Sequence, residues 1–312
     1  MKFVAMGDLH VTNQKPKLRK DKDYLLSTIQ KLDQVYEFAN NSDAKIVVQP
    51  GDFFDSSKAS DYLKQLMIGK LKEYQNKYGI VTLTIFGQHD LRFHSSDIKN
   101  TPLAVLEAAG VLTILKNDIP TTYNNVDFYA ASWNEEPIKP SKDKCNVLVT
   151  HRMIVKSKIW EGQEDFIYGP NMFRKYPEYT YFVTGDNHQY FTYTVKPVNK
   201  PQRYLINCGS IMRSNIGQIT HTPCCYLIDT NKNHITEHRL KIKDIDDVLD
   251  LDQAVLKKKE NEDLEKFIQA MKIQSREQKV TMNFIANLQA AVQSESKELQ
   301  DEIANILTIV EN

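Results

Sequence analysis

Short apolar runs recur from residue 1 to about residue 230, most of them ending in a polar cluster that contains glycine, and amphipathic stretches separate the earlier ones. Runs rich in β-branched and aromatic residues and bounded in this way predict strands, at 2–6, 45–49, 81–86, 111–115, 126–131, 146–150, 179–184, 191–195, 203–207 and 224–228. Two stretches carry apolar residues at helical spacing instead: Leu25, Leu26, Ile29, Leu32 and Tyr36, then Leu63, Leu66, Met67 and Leu71. That period puts each set on one helix face, so both helices should cover a sheet.

The opening alternation of strand and helix gives way to strands joined by short connections with little helix between them. This change predicts a mixed two-sheet sandwich over a single doubly wound sheet. Beyond about residue 240 the chain turns charged and holds neither Gly nor Pro, with apolar stripes at Leu264, Phe267, Ile268 and Met271 and at Leu299, Ile303, Ile306 and Val310. The expected division is a domain over 1–240 and a helical tail over 241–312. The tail's stripes suit helices packing on their own domain or on each other, and equally a docking surface for a partner helix. No internal repeat or low-complexity tract stands out.

Charge narrows the picture. Forty Lys and Arg balance forty Asp and Glu, so the 312-residue chain has no overall attraction for polyanions and any nucleic-acid contact must be local. Cys145, Cys208, Cys224 and Cys225 form no CxxC pair. They read as reduced core thiols, with the adjacent pair on opposite faces of a strand. Residues 1–5 begin directly as an apolar strand without the regions of a signal peptide, and no apolar run reaches membrane-spanning length, so the expectation is a soluble cytoplasmic protein with no membrane association.

Five clusters carry the chemistry, each after a predicted strand: Gly7, Asp8, Leu9, His10; Gly51, Asp52, Phe53, Phe54, Asp55; Gly87, Gln88, His89, Asp90; His151; and Gly185, Asp186, Asn187, His188. Singly, an Asp or His at a strand end serves most often as a turn former or helix cap. Five in succession can converge, because loops at the strand ends of an α/β sheet gather on one edge. Carboxylates, imidazoles and one carboxamide form a mixed oxygen and nitrogen ligand set suited to Mn, Fe or Zn.

Their order and spacing resemble the five-motif signature of calcineurin-like metallophosphoesterases, written in that family as DxH, GDxxD, GNHD, H and GHxH. The resemblance spans about residues 1 to 230 and implies a four-layer αββα sandwich with a dinuclear site at the strand ends. It implies that Asp8, His10, Asp52 and His188 hold one divalent ion. Asp52 then bridges to a second ion held by Gln88, His151 and Asp186, an anion between two dications being needed to offset their repulsion. His89 matches the family histidine that lies over the phosphate and can stabilise charge or protonate the leaving oxygen. Asp90 could fix the tautomer of His89, or simply form the turn.

Two positions depart from the pattern. Gln88 stands where the family has Asn, and Asp186 where it has the first His of GHxH. Gln keeps the carbonyl oxygen on a longer arm, and Asp replaces a neutral nitrogen with an anionic oxygen, which favours Mn2+, or Mg2+, over Zn. The competing expectation is an impaired second site.

The segment 207–213, followed by Gln218, His221 and Pro223, resembles the stretch after the last metal motif of SbcD-type DNA repair exonucleases, the subunit that pairs with an SMC-like (SbcC-type) ATPase. The short tail resembles a compact, phage-like version, placed in the host cytoplasm if phage-encoded. That resemblance implies DNA as substrate, ATP-controlled access and a homodimer. Lys15, Lys17, Arg19, Lys20 and Lys22 crowd one loop, where a DNA backbone could be gripped, and Ser210 and Arg213 are further candidates for substrate binding. Phe93 and Tyr190 could stack on an unpaired base or serve as packing. Trp133 is expected to pack at the edge of the site, and His94, His234 and His238 to be ordinary surface histidines. The expected function is a metal-dependent DNA exo/endonuclease subunit. The alternatives are a phosphatase or cyclic-nucleotide phosphodiesterase, and a non-catalytic regulatory subunit.

Overall fold

A computed structural model describes residues 1–92, 98–140, 144–158, 163–253, 292 and 296–310. Phe93, His94, Leu264, Phe267, Ile268 and Met271 lie outside the described residues. The chain divides into two compact units, Met1–Leu251 and Asp252–Asn312. In the second, Lys297–Val310 is a helix. The first carries the layered fold.

Its first sheet contains β1 (Lys2–Ala5), β2 (Ile46–Gln49), β3 (Val81–Thr84) and β4 (Thr113–Ile114). These four run parallel, and β13 (Cys224–Asp229) and β14 (His234–Arg239) add antiparallel strands beside β1. The second sheet has a parallel centre of β6 (Val126–Ala131), β7 (Cys145–His151), β10 (Tyr181–Gly185) and β12 (Arg203–Asn207). Its antiparallel edges are β5 (Thr121–Tyr123) and β11 (Phe191–Val195). A small parallel pair, β8 (Ile154–Val155) and β9 (Ile167–Tyr168), stands apart.

The pleat distributes side chains to three interfaces. Phe3 and Ala5 of β1 enter the core between the sheets with Ile46, Val48, Val147, Val149, Tyr181 and Val183, while Val4 and Val47 point the other way. There they meet Ile29, Leu32 and Tyr36 of α1 (Tyr24–Asn41) and Met67 and Leu71 of α2 (Asp61–Tyr78), as the helical spacing predicts. α3 (Pro102–Ala108) adds Leu103 and Leu106 to this layer. On the far face of the second sheet Leu148, Phe182 and Leu205 pack against Met172 and Phe173 of α4 (Gly169–Lys175). Three cores between four layers make the αββα sandwich, and period-two alternation sorts each strand between two of them.

Cys224 and Cys225 show that alternation directly, one in the inter-sheet core and the other in the helix-facing core, and both are free thiols. Caps fix the helix starts: Asp23 accepts from the Leu26 amide, Ser60 from Leu63 and Thr101 from Ala104. Gly79, at φ 64°, ends α2 in the left-handed conformation that glycine adopts without strain. Among the described residues no helix is long and apolar enough to cross a membrane.

Candidate metal centre

β1, β2 and β3 are parallel neighbours in one sheet, and β7 and β10 in the other, so the loops leaving their C-terminal ends gather along one rim of the sandwich. His10 Nε2 lies 3.1 Å from His188 Nε2 and 3.7 Å from Asp52 Oδ2, and His188 Nε2 lies 3.6 Å from Asp8 Oδ2. Asp8, His10 and His188 form one grouping able to hold a metal ion, and His10, Asp52 and His89 form another. Asp52 Oδ2 is also 3.3 Å from His151 Nε2, so one carboxylate oxygen faces both halves of the cluster. Gln88 and Asp186 meet on the second half, the Gln88 amide Nε2 donating to Asp186 Oδ1 at 3.0 Å.

Burial tests whether a cation fits. Asp8 Oδ1 and Gln88 Oε1 are buried without a hydrogen-bond partner, as are Asp52 Oδ2 and His151 Nε2, which face each other at 3.3 Å. Buried polar atoms left unpaired in this way are destabilising unless something absent from the polypeptide satisfies them. The orphans are carboxylate, carboxamide and imidazole lone pairs, the donor types of a hard to borderline divalent ion. His151 Nδ1 donates to the Pro50 carbonyl at 2.7 Å; a carbonyl only accepts, so in the neutral ring Nε2 carries the free lone pair aimed at the site.

The titration behaviour points the same way. Burial pushes the Asp8 carboxyl up to about 8, only partly opposed by His151, with Asp52 adding to the rise. Burial disfavours the charged His151, but the adjacent Asp52, reinforced by Asp8 and Asp186, overrides it and lifts the ring to about 10. Burial and then the neighbouring His10 depress His188 to about 3, keeping it neutral. Protons on Asp8 and His151 thus offset negative charge that a dication would otherwise neutralise.

The loops are built to hold this crowding. His10, Asp52 and Asp186 have φ of 45°, 51° and 78°, a region non-glycine residues seldom adopt and one that clusters at functional sites. Gly185 admits no side chain, since a Cβ there meets Asp8 Oδ1 at 2.5 Å and His151 Nδ1 at 2.7 Å. Asp90 accepts the backbone amides of Phe53 at 3.2 Å, Phe54 at 3.0 Å and Gly87 at 3.0 Å, stapling the β2 loop to the β3 loop. It does not orient His89. That role falls to the Asp55 carbonyl, 2.9 Å from His89 Nδ1, which leaves Nε2 of the exposed ring for a substrate. Sequence reasoning gave Asp55 no role, since a backbone contact leaves no mark on residue type.

The segment after β12 acts as a buckle. The Asp8 amide donates to the Gly209 carbonyl, Ile211 to Asp8, and Ser210 to His188, so 209–211 ties the first motif to the last. Ser210, expected to face substrate, is buried; its hydroxyl donates to the Met212 carbonyl and accepts from Gln218, while His221 holds its carbonyl at 2.6 Å. Arg19 and Arg213 are also buried. The loop 18–20 pairs its backbone with 248–250, which turns Arg19 inward onto Asp21 at 2.6 Å and the Arg213 carbonyl at 2.6 Å. Lys15, Lys17 and Lys20 remain exposed. His238, expected to be an ordinary surface residue, stacks on Phe38 with ring centroids 3.9 Å apart.

A hollow of about 510 Å³ opens beside His151 and Asp186, lined also by Trp133, Arg152, Phe166 and Ile167. Arg152 and Phe166 escaped the sequence reading. Arg152 follows His151 directly, which was the available signal; Phe166 follows no recognisable motif.

A two-sheet αββα fold with clustered Asp and His side chains at its strand ends defines a metallophosphoesterase, a hydrolase acting on phosphoester bonds. Residues 1–190, more than half the chain, match the calcineurin-like phosphoesterase family, and the chain belongs to that family. Comparison with curated proteins finds no match. Among solved structures, a dimetal phosphatase from Danio rerio is 10% identical with a TM-score of 0.45, over 78% of this chain and 98% of that one. A second solved structure is 9% identical at the same TM-score, over 77% of this chain and 99% of that one. Neither likeness bears on substrate.

Proposed function

We propose that this chain is the nuclease subunit of a DNA-processing machine, hydrolysing phosphodiester bonds with two divalent ions, Mn2+ preferred, and working with an SMC-like ATPase and a second copy of itself. The observation that carries the choice of substrate is the hollow beside His151 and Asp186: at about 510 Å³ it has room for a nucleotide, with Trp133 and Phe166 in its lining for a base and Arg152, held by Glu136 at 3.0 Å, as its guanidinium. Exposed Lys15, Lys17 and Lys20 offer backbone contacts.

Bound divalent ions supply Lewis acidity toward the phosphoryl oxygens and a hydroxide nucleophile near neutral pH. The chain's own residues do the rest. Asp8, His10, Asp52 and His188 would hold one ion, and Asp52, Gln88, His151 and Asp186 the other. His89, oriented through Nδ1 by the Asp55 carbonyl, presents Nε2 to the scissile group, where its protonated form gives a proton to the leaving oxygen.

The test offers labelled linear and hairpin DNA, p-nitrophenyl phosphate and cyclic nucleotides to the full chain in Mn2+. DNA turnover well above that of the small esters, reduced by Trp133→Ala and Arg152→Ala, supports the proposal. Preference for the small esters makes the chain a phosphatase or cyclic-nucleotide phosphodiesterase, and no turnover in any divalent ion makes it a regulatory subunit. Co-purification with the ATPase, with and without the tail beyond residue 260, tests the partner.

A further inference from the structure

A second hollow in the Met1–Leu251 unit lies between α1, the buckle after β12 and the segment following β14. It has a volume of about 260 Å³, and none of its lining residues belongs to the metal centre. Five cations line it, Arg19, Lys31, Arg213, Lys241 and Lys243, against one carboxylate, Asp21.

That carboxylate is already engaged. Asp21 takes the Arg19 guanidinium at 2.6 and 2.9 Å and the Ser27 hydroxyl at 2.7 Å. Among the described residues Lys31, Arg213, Lys241 and Lys243 form no ion pair, and Arg213 feels Asp244 only through its field. Arg213 is 6% exposed and gives one hydrogen bond, from Nη2 to the Lys243 carbonyl at 2.6 Å. A guanidinium carries five N–H donors, so the rest of this head faces the hollow and solvent and not protein acceptors. Lys31 donates to the Lys241 carbonyl. Burial first, and then the neighbouring Arg213 and Arg19, depress its ammonium to about 8.

A half-open hollow lined by four cations that form no ion pair among the described residues suits a compact, multiply charged anion with several acceptor oxygens. A carboxylate offers one charge and two oxygens; a phosphate group offers up to two charges and three oxygens. We propose that this hollow is a phosphate-binding site, separate from the metal centre and independent of metal loading, which takes the phosphate group of a nucleotide or of a DNA strand end.

The experiment uses the full chain in EDTA, so that the metal centre takes no part. Inorganic phosphate, a deoxynucleoside monophosphate and an oligonucleotide with or without a 5′-phosphate are titrated by calorimetry. Saturable binding of phosphate is expected, weakened at least about tenfold in Lys31→Gln, the loss of one charge-assisted hydrogen bond. Tighter binding of the monophosphate names a free nucleotide as the ligand, and tighter binding of the 5′-phosphorylated over the unphosphorylated oligonucleotide names a strand end. Lys241→Gln, on an exposed side chain, repeats the test without disturbing α1. Absence of saturable phosphate binding overturns the proposal, as does binding that both variants leave unchanged. Because metal is excluded, this outcome is decided whether or not the chain cleaves DNA.

Discussion

The Gln88 amide donates to Asp186 Oδ1 at 3.0 Å, so the two positions that depart from the family signature touch each other. Each departure alone looks like damage to a ligand set. Together they form one unit: the longer Gln arm reaches the carboxylate through Nε2 and keeps its own Oε1 buried and without a partner.

Two residues in contact should couple. Asp186→His is expected to shift preference from Mn2+ toward Zn2+, and Gln88→Asn to matter little to metal affinity once His stands at 186, though it weakens Mn2+ binding in the native background by about tenfold, as loss of an outer partner does. Calorimetric titration of both ions into the single and double variants measures this, and additive effects would count against the pairing.

His89→Ala should lower kcat by about 10²–10⁴-fold, the usual range for removing a general acid, with two ions still bound. Asp8→Ala should remove hydrolysis and one ion. Stoichiometry by calorimetry beside DNA cleavage separates the two roles.

Asp90→Ala leaves three buried backbone amides without acceptors and is expected to destabilise the protein by about 3 kcal/mol or more. Chemical denaturation reads the change. Since the staple joins the loops that carry Asp52 and His89, metal affinity should fall with it.

Without metal, stability should fall as pH rises from 6.5 to 8. His151 has a folded value raised from 6.5 to about 10, so its contribution is full below 6.5 and lost as pH climbs through 10. Asp8, raised from 3.8 to about 8, follows the same sign and is lost by 8. His188 is depressed and changes nothing above 6.5. The folded state holds more protons across this window, which gives the negative slope. Denaturation midpoints in EDTA across it should decline, and in Mn2+ the decline should vanish or reverse, since the ion replaces those protons.

Periodicity carried most of the fold. The runs at 126–131, 191–195 and 203–207 are strands at those bounds, because their termini coincide with polar or glycine-bearing turns that the sequence displays. β14 escaped notice: His234, Thr236, Glu237 and Arg239 make it polar on an exposed edge, where pairing with β13 and not burial forms the strand. At the rim, residue type marked the candidate ligands, since lone pairs must come from Asp, His or Gln. The supporting shell was not legible. Asp90 and Ser210 use their side chains on partners that are largely backbone groups, which leave no mark on the partner's residue type, and Arg19 turned inward because of a backbone pairing about 230 positions away.

The cluster draws its donors from both sheets, with Asp8, His10, Asp52, Gln88 and His89 leaving one and His151, Asp186 and His188 leaving the other. A cation seated among them is therefore a rivet through the sandwich. Sliding one sheet past the other by a bond length pulls donors off it from one side only. The register of the two sheets and the geometry of the rim are thus a single property of this fold.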